Sequence, residues 1–205
     1  MIMQNVEQIE TAKVQHDYAA AADSELLQYM ADGQDAAFEV FAARYLQALN
    51  RLVYRLGFNG SESEDMLQDI LVHIWQKAHL WTRQDGITAR AWIYRVATNL
   101  CIDVQRKNKR QPVQNAIDID MTHAGEDNVR TDAQAEASER EDRIKVALAK
   151  LPERNRTVLV MVYYEEMSNK EAADAMGVSV KAIEALLVRS RKMLRKHIKD
   201  EEVLL

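Results

Sequence analysis

Cysteine is nearly missing from this chain: of 205 residues only Cys101 carries a thiol, so no internal disulfide can form and nothing marks an oxidising compartment. Proline occurs twice and glycine six times, too few for a turn-rich β-sandwich or for a low-complexity chain. No apolar run approaches the roughly 20 residues that a membrane span needs. The N-terminus has no basic stretch followed by an apolar core, so no signal peptide is expected and the location expected is the cytoplasm. The five histidines, at 16, 73, 79, 123 and 197, fall into no HExxH or other zinc spacing. There is no GxGxxG and no GxxxxGK[ST] phosphate loop. No catalytic residue, metal site or cofactor is therefore expected, and the chain reads as not an enzyme.

What is present is helix-forming. Residues are 47% hydrophobic, with much Ala, Leu, Glu, Gln and Arg and few β-branched runs, which points to an all-α fold with material enough for a core. Residues 1–22 read as an N-terminal extension, mobile or weakly helical. From Asp23 the periodicity predicts a helical bundle over 23–110. Asp23 or Ser24 is the expected cap of a first helix, and Asp35 of a second, along which Phe38, Phe41, Tyr45, Leu49, Leu52, Val53 and Leu56 keep helical spacing. Ser61 with Glu64 reads as a capping box opening a third. Leu80 to Thr88 reads as a loop. A long helix then runs from Ala89 to about Lys109, with Trp92, Ile93, Val96, Ala97, Leu100, Cys101 and Val104 as its apolar stripe. Arg106, Lys107, Lys109 and Arg110 crowd its last turn, where positive charge suits a helix C-terminus in any case.

Composition then changes. Between Gln111 and Asp142 nine acidic residues face only Arg130 and Arg140, a net of −7 in a chain whose total is −5. Residues 111–137 read as a flexible acidic linker. It can shield basic modules from each other or simply aid solubility.

A second small helical domain is expected over 138–205, and its end carries the most informative stretch. Ser168 and Glu171 form a capping box, Gly177 suits a left-handed C′ position, and Ser179 can cap the next helix. On that helix Ile183, Leu186, Leu187, Ser190, Leu194 and Ile198 form one face. The remainder is basic: between Lys181 and Lys199 seven Lys/Arg oppose only Glu184. A short helix, a glycine turn and a long basic helix is the order used by helix-turn-helix DNA readers. Alone, it fits a solvated helical hairpin too. Asp65 and Asp69, one turn apart around Gln68, read as a solvated protein-contact face, for want of a partner base.

Three strings in order carry a resemblance: Asp65-Met-Leu-Gln68-Asp69 followed by Ile74-Trp75, then ARAWIYRVATNLCIDVQRKNKR, then LAKLPERNRTVLVMVYYEEMSNKEAADAMGVSVKAIEALLVRSRKMLR. Together they resemble a bacterial RNA polymerase sigma factor of the sigma-70 family, in its extracytoplasmic function (ECF) group. The resemblance implies a region 2 bundle that binds the clamp helices of core RNA polymerase and opens the minus-ten promoter element. It implies a region 4 helix-turn-helix that binds the flap and reads the minus-thirty-five element. By position, Asp65, Gln68 and Asp69 would face the polymerase. Arg83, in the loop where ECF proteins hold a flipped base, together with Arg95, Asn99, Arg106, Lys107, Lys109 and Arg110, would meet the downstream element. Lys181, Glu184, Ala185, Val188, Arg189 and Lys192 would meet the upstream one. Glu184 and Ala185 stand where the family often carries hydroxyl or basic groups; a carboxylate can accept from cytosine N4, so promoter preference should differ. Glu166 stands where a glycine is frequent. The implied partners are core polymerase, promoter DNA and an anti-sigma factor, with no membrane insertion. Two other readings stay open at this point: a helix-turn-helix transcriptional regulator acting without joining the polymerase, and a helical protein-contact adaptor.

Overall fold

The structure, a computed structural model, describes residues 17–81, 86–110, 143–144 and 146–202. Among these residues every regular element is helical: α1 (Asp23–Ala31), α2 (Asp35–Arg55), α3 (Gly60–Lys77), a short 3₁₀ turn (Ala78–Leu80), α4 (Ala89–Arg110), α5 (Glu153–Leu159), a π-helical turn (Val160–Tyr164), α6 (Asn169–Met176) and α7 (Val180–Glu202). Helical backbone at 143–144 and 146–149 precedes α5. The linker expected at 111–137 and the first sixteen residues lie outside the described residues.

In the first unit α2 is the central helix. Phe41, Tyr45, Leu49, Leu52 and Val53 recur along one face and are buried, as the periodicity predicts. Against them lie Leu26, Leu27 and Met30 of α1 and Met66, Ile70 and Ile74 of α3, and Ile93, Ala97 and Cys101 of α4, which packs on α1 and α3, join the same core. Trp92, Val96, Leu100 and Val104 are only partly buried, packed at the margin of the core. Phe38 meets Trp75 edge to face at 5.1 Å. Burial pushes the Cys101 thiol up to about 12, so it behaves as a small apolar side chain.

Three expected caps are corrected. Neither Asp23 nor Ser24 caps α1; Ala22 does, its N–H held by the Glu25 carboxylate at 2.8 Å. The Asp23 carboxylate is taken instead by Arg44 (2.7 Å) and the Tyr45 hydroxyl (2.5 Å), because a buried phenol needs a partner more than an exposed amide does. Asp35 is the first residue of α2, and Gln34 precedes it as the cap. The helix α3 starts at Gly60, after Asn59, with no side-chain cap, so Ser61 and Glu64 form no box. The extension also ends earlier than expected. Tyr18 packs edge to face on Tyr29 at 5.4 Å and donates to the Gln34 side chain, while Arg44 holds the carbonyls of Ala19 and Ala21.

The second unit follows the sequence more closely. The Ser168 hydroxyl accepts from the Glu171 N–H at 3.1 Å and the Glu171 carboxylate accepts from the Ser168 N–H at 3.0 Å. Gly177 closes α6 with φ +64°, and the Ser179 hydroxyl accepts from the Ala182 N–H at 3.2 Å to start α7. Buried Ala172, Ala173 and Ala175 keep α6 thin enough to lie against both α4 and α7. The two units do not stand apart: their buried residues form one contiguous cluster.

Between α5 and α6 the backbone departs from α-helix. The Glu165 N–H reaches back five residues to the Val160 carbonyl (3.1 Å), and Glu166 takes φ +51°. A left-handed non-glycine residue costs about 1–2 kcal/mol, so Glu166→Gly is expected to raise stability by about 0.5–1 kcal/mol after the added freedom of the unfolded chain is subtracted. The check is a higher urea midpoint at unchanged m. The opposite case is Gly57, at φ +101° with a would-be Cβ only 2.5 Å from the Arg156 guanidinium: Gly57→Ala should lose about 1–3 kcal/mol in the same assay.

Candidate nucleic-acid interface

On α3, Asp65, Gln68 and Asp69 are all exposed along one helix face, since Met66, Ile70 and Ile74 turn the opposite face into the core. Val72 continues the exposed face and is itself 48% exposed. Sequence reasoning passed over Val72, whose signal was an aliphatic residue falling three positions after Asp69 rather than in the buried stripe.

On α7, Lys181, Glu184, Ala185, Val188, Arg189 and Lys192 are exposed together, opposite the buried Ile183, Leu187 and Ser190. Ser190 is buried at no polar cost: it donates to the Leu186 carbonyl and accepts from Asn155, each at 2.8 Å. The Arg189 Nε–H donates to the Ala185 carbonyl at 3.3 Å, which lays the guanidinium along the helix. Val188, 60% exposed, puts an apolar surface amid basic side chains, suited to a thymine methyl group. The capping box supports the base of this helix pair, and it holds the Glu171 carboxylate below its ordinary value, first through the Ser168 N–H and then through its hydroxyl.

The residues named for the downstream element divide. Arg95 is half-buried, Asn99 and Arg106 are exposed, and Lys107 is exposed in the last turns of α4. Lys109 and Arg110 belong to the final turn of α4, with side chains outside the described residues, and Arg83 lies outside them altogether. Arg95, Asn99 and Arg106 do share one side of α4, but that side is turned toward the second unit. Asn99 and Arg106 line a cleft of about 290 Å³ with Asp103 of α4 and Arg154 and Thr157 of α5, Arg106 pairs with Glu153 at 3.5 Å, and the Arg95 guanidinium lies beside the Gly177 turn.

The contact between the units is polar as well as apolar, and no sequence signal announced it. Glu165 is buried; its carboxylate accepts from the Tyr94 hydroxyl at 2.6 Å and its carbonyl accepts from Arg90. Burial, then this bond, raises the Tyr94 phenol well above its usual range. Arg55 lies 3.9 Å from the same carboxylate and stacks over Tyr164 at 4.2 Å. The Leu56 carbonyl, at the end of α2, accepts from Gln105 and from the buried Arg156, both at 2.6 Å.

Two family descriptions match the chain in order, Sigma-70 region 2 over residues 41–111 and Sigma-70, region 4 over residues 141–194. The RNA polymerase sigma factor CnrH of Cupriavidus metallidurans is 30% identical over 178 residues, covering 84% of this chain and 92% of CnrH. The ECF RNA polymerase sigma factor SigW of Bacillus subtilis is 27% identical over 179 residues, covering 82% and 92%. The chain belongs to the sigma-70 family, in its ECF group. Among solved structures, CnrH in complex with the cytosolic domain of CnrY superposes with a TM-score of 0.64 at 27% identity, covering 88% of this chain and 99% of that one. The fold is also that of the sigma factor RpoE in complex with the anti-sigma factor NepR from Bartonella quintana, with a TM-score of 0.59 at 22% identity, covering 79% and 96%. As an ECF sigma factor the protein joins core RNA polymerase and directs initiation at particular promoters, which sets aside the reading as a free-standing regulator. Among the described residues no cluster of His, Cys, Asp or Glu could hold a metal ion, and no helix is long and apolar enough to cross a membrane.

The depressed Glu171 carboxylate gives the sigma factor an acid-sensitive joint. The stability that its ionised form supplies is complete above the ordinary carboxylate value of 4.5 and is lost as pH falls through the lower folded-state value. Glu171→Gln is expected to cost about 0.5 kcal/mol at pH 7, small because the site is mostly exposed. In urea titrations from pH 7 to pH 3 the difference from wild type should disappear at the acid end.

Proposed function

We propose that residues 23–110 act as the region 2 module and 138–205 as the region 4 module of this sigma factor, with 111–137 as their tether. Asp65, Gln68 and Asp69 dock on basic residues of the polymerase clamp helices, and Val72 adds an apolar contact to that surface. Arg95, Asn99, Arg106 and Lys107, with Arg83, Lys109 and Arg110, hold the opened minus-ten element. Unstacking costs a few kcal/mol per base, which phosphate attraction and pocket contacts must offset. Lys181, Arg189 and Lys192 meet phosphates or guanine, Glu184 accepts from cytosine, and Ala185 and Val188 meet thymine methyls at the minus-thirty-five element. The polymerase supplies the chemistry, while the sigma factor supplies binding energy and base discrimination. Acting with the polymerase places it in the cytoplasm. CnrH and RpoE are each solved with a partner protein, named in the RpoE case as an anti-sigma factor, and we infer that an anti-sigma factor likewise restrains this chain.

The observation that carries this reading is the ordered match of both sigma regions in one chain, each with an exposed candidate face. The experiment is reconstitution with bacterial core polymerase on a library of promoters. The chain should direct specific transcripts, and the double variant Asp65→Ala, Asp69→Ala should weaken core binding about tenfold. Arg189→Ala should lower transcription from the selected promoter about tenfold while leaving core affinity unchanged. Equal losses in both assays would mean that α7 supports the fold rather than reads DNA.

A further inference from the structure

The apolar stripe of α7 contains one polar residue. Ile183, Leu187 and Ser190 face the core, and Ser190 is completely buried at a position where alanine or leucine would favour the helix more. Apolar packing is non-directional, so a wholly aliphatic stripe would hold α7 against its neighbours but fix its turn about its own axis only weakly. A buried polar contact has direction and can fix register. Ser190 makes two: its hydroxyl accepts from the Asn155 amide of α5 and donates to the Leu186 carbonyl, each at 2.8 Å. With the amide N–H on its oxygen, the hydroxyl keeps its proton for that carbonyl, so Asn155 sets the direction in which Ser190 bonds.

These bonds sit at the middle of the exposed face of α7. A helix carbonyl ordinarily takes only the N–H four residues on. Here two consecutive carbonyls take a side chain as well, Ala185 from the Arg189 Nε–H at 3.3 Å and Leu186 from Ser190. They divide exposed Lys181, Glu184 and Ala185 from exposed Val188, Arg189 and Lys192. Side-chain bonds into the ladder are where helices bend, so the two halves of the face are set relative to each other at this point. Asn155 stands on a fixed base, since Arg156, Thr157, Val158 and Leu159 of α5 are all buried and the Thr157 hydroxyl donates to the Glu153 carbonyl at 2.8 Å. Arg154, next to Asn155, borders with Arg189 a depression of about 250 Å³ lined also by Met176, Val178, Ala182 and Leu186. It offers Arg189 a like charge rather than a partner, so the placing of Arg189 follows the turn of its own helix.

We propose, resting on the reading of α7 as the helix that meets the minus-thirty-five element, that Asn155 is a positioning residue for base discrimination: through the Ser190 hydroxyl and the Leu186 carbonyl it holds the rotational setting of α7, and with it the base edges that Glu184, Ala185, Val188 and Arg189 face. Asn155 acts from behind the helix, without touching DNA. Its effect falls on the choice between promoters, not on the affinity for core polymerase.

The test uses holoenzyme formed from the full chain and bacterial core polymerase, on promoters changed one base pair at a time across the minus-thirty-five element. The quantity read is the ratio of transcription from the best promoter to that from each changed one. Asn155→Ala and Ser190→Ala should each lower this ratio about threefold to fivefold, the scale of one hydrogen bond. The double variant should lower it no further, because the two changes remove the same bond. Asn155→Asp keeps the size but replaces a donor with an acceptor, which draws the Ser190 proton away from Leu186, so it should lose discrimination as Asn155→Ala does. Asn155→Gln retains the N–H donor and should retain most of the ratio. Core affinity is expected to stay unchanged throughout. Circular dichroism checks that helix content is kept, and should Ser190→Ala unfold, the Asn155 series decides alone. Unchanged ratios in folded Asn155→Ala and Asn155→Asp overturn the proposal, as does an equal loss at every promoter with a lower urea midpoint, the mark of a purely structural bond. If Arg189→Ala leaves the ratios unchanged too, the reading of α7 itself fails; if Arg189→Ala lowers them and the Asn155 variants do not, only the positioning role fails.

Discussion

Burying the carboxylate of Glu165 is the costly step around which the two halves of this molecule are arranged. A carboxyl group at 5% exposure is tolerated only if partners replace its water, and they come from the other module: the Tyr94 hydroxyl, Arg90 at the adjoining carbonyl, and Arg55 at the margin. The π-helical turn at Val160–Tyr164 makes this meeting geometrically feasible. Its extra residue rotates Tyr164 and Glu165 out of the α-helical register, and the left-handed Glu166 returns the chain to the start of α6. Strain and an irregular turn thus coincide with the contact between modules, as such features often do at working parts of proteins.

The Leu56 carbonyl shows the same dependence from the other side. A helix end leaves carbonyls without intrahelical partners. Here Gln105 satisfies one from within the module and Arg156 satisfies it again from across the boundary. Burial lowers the affinity of the Arg156 guanidinium for its proton, so this contact too trades hydration for a defined register. A joint made of half-satisfied charges is far easier to reverse than one made of aliphatic packing.

Much of this was legible in the order of residues. The stripes of α2 and α7, the Ser168–Glu171 box and the Gly177 turn follow from local rules that tertiary packing had no reason to override. The exposed acidic face of α3 and the basic face of α7 were legible for the same reason: their core residues are so regularly spaced that the remaining positions must face solvent. The caps of α1, α2 and α3 were misread because several polar residues compete for each end. Asp23 went to Tyr45 and Arg44 because a buried hydroxyl has the stronger claim on a carboxylate. Tyr94 and Thr98, outside the expected stripe of α4, are buried because a second surface covers the helix, which periodicity computed against one core cannot anticipate.

The sequence by itself determined the helical class, the two modules and their order, and the faces that carry charge, since these depend on spacings of three and four residues and on side-chain chemistry. Only the tertiary structure decided what the charged faces meet. Glu165 is buried rather than solvated, and Arg95, Asn99 and Arg106 lie on the side of α4 that is turned toward the second unit, where Arg106 meets Glu153. The physical reason is distance along the chain. A contact between residues 71 and 100 positions apart leaves no periodic trace, because it is fixed by how two finished surfaces fit and by which buried charges can be paired when they do.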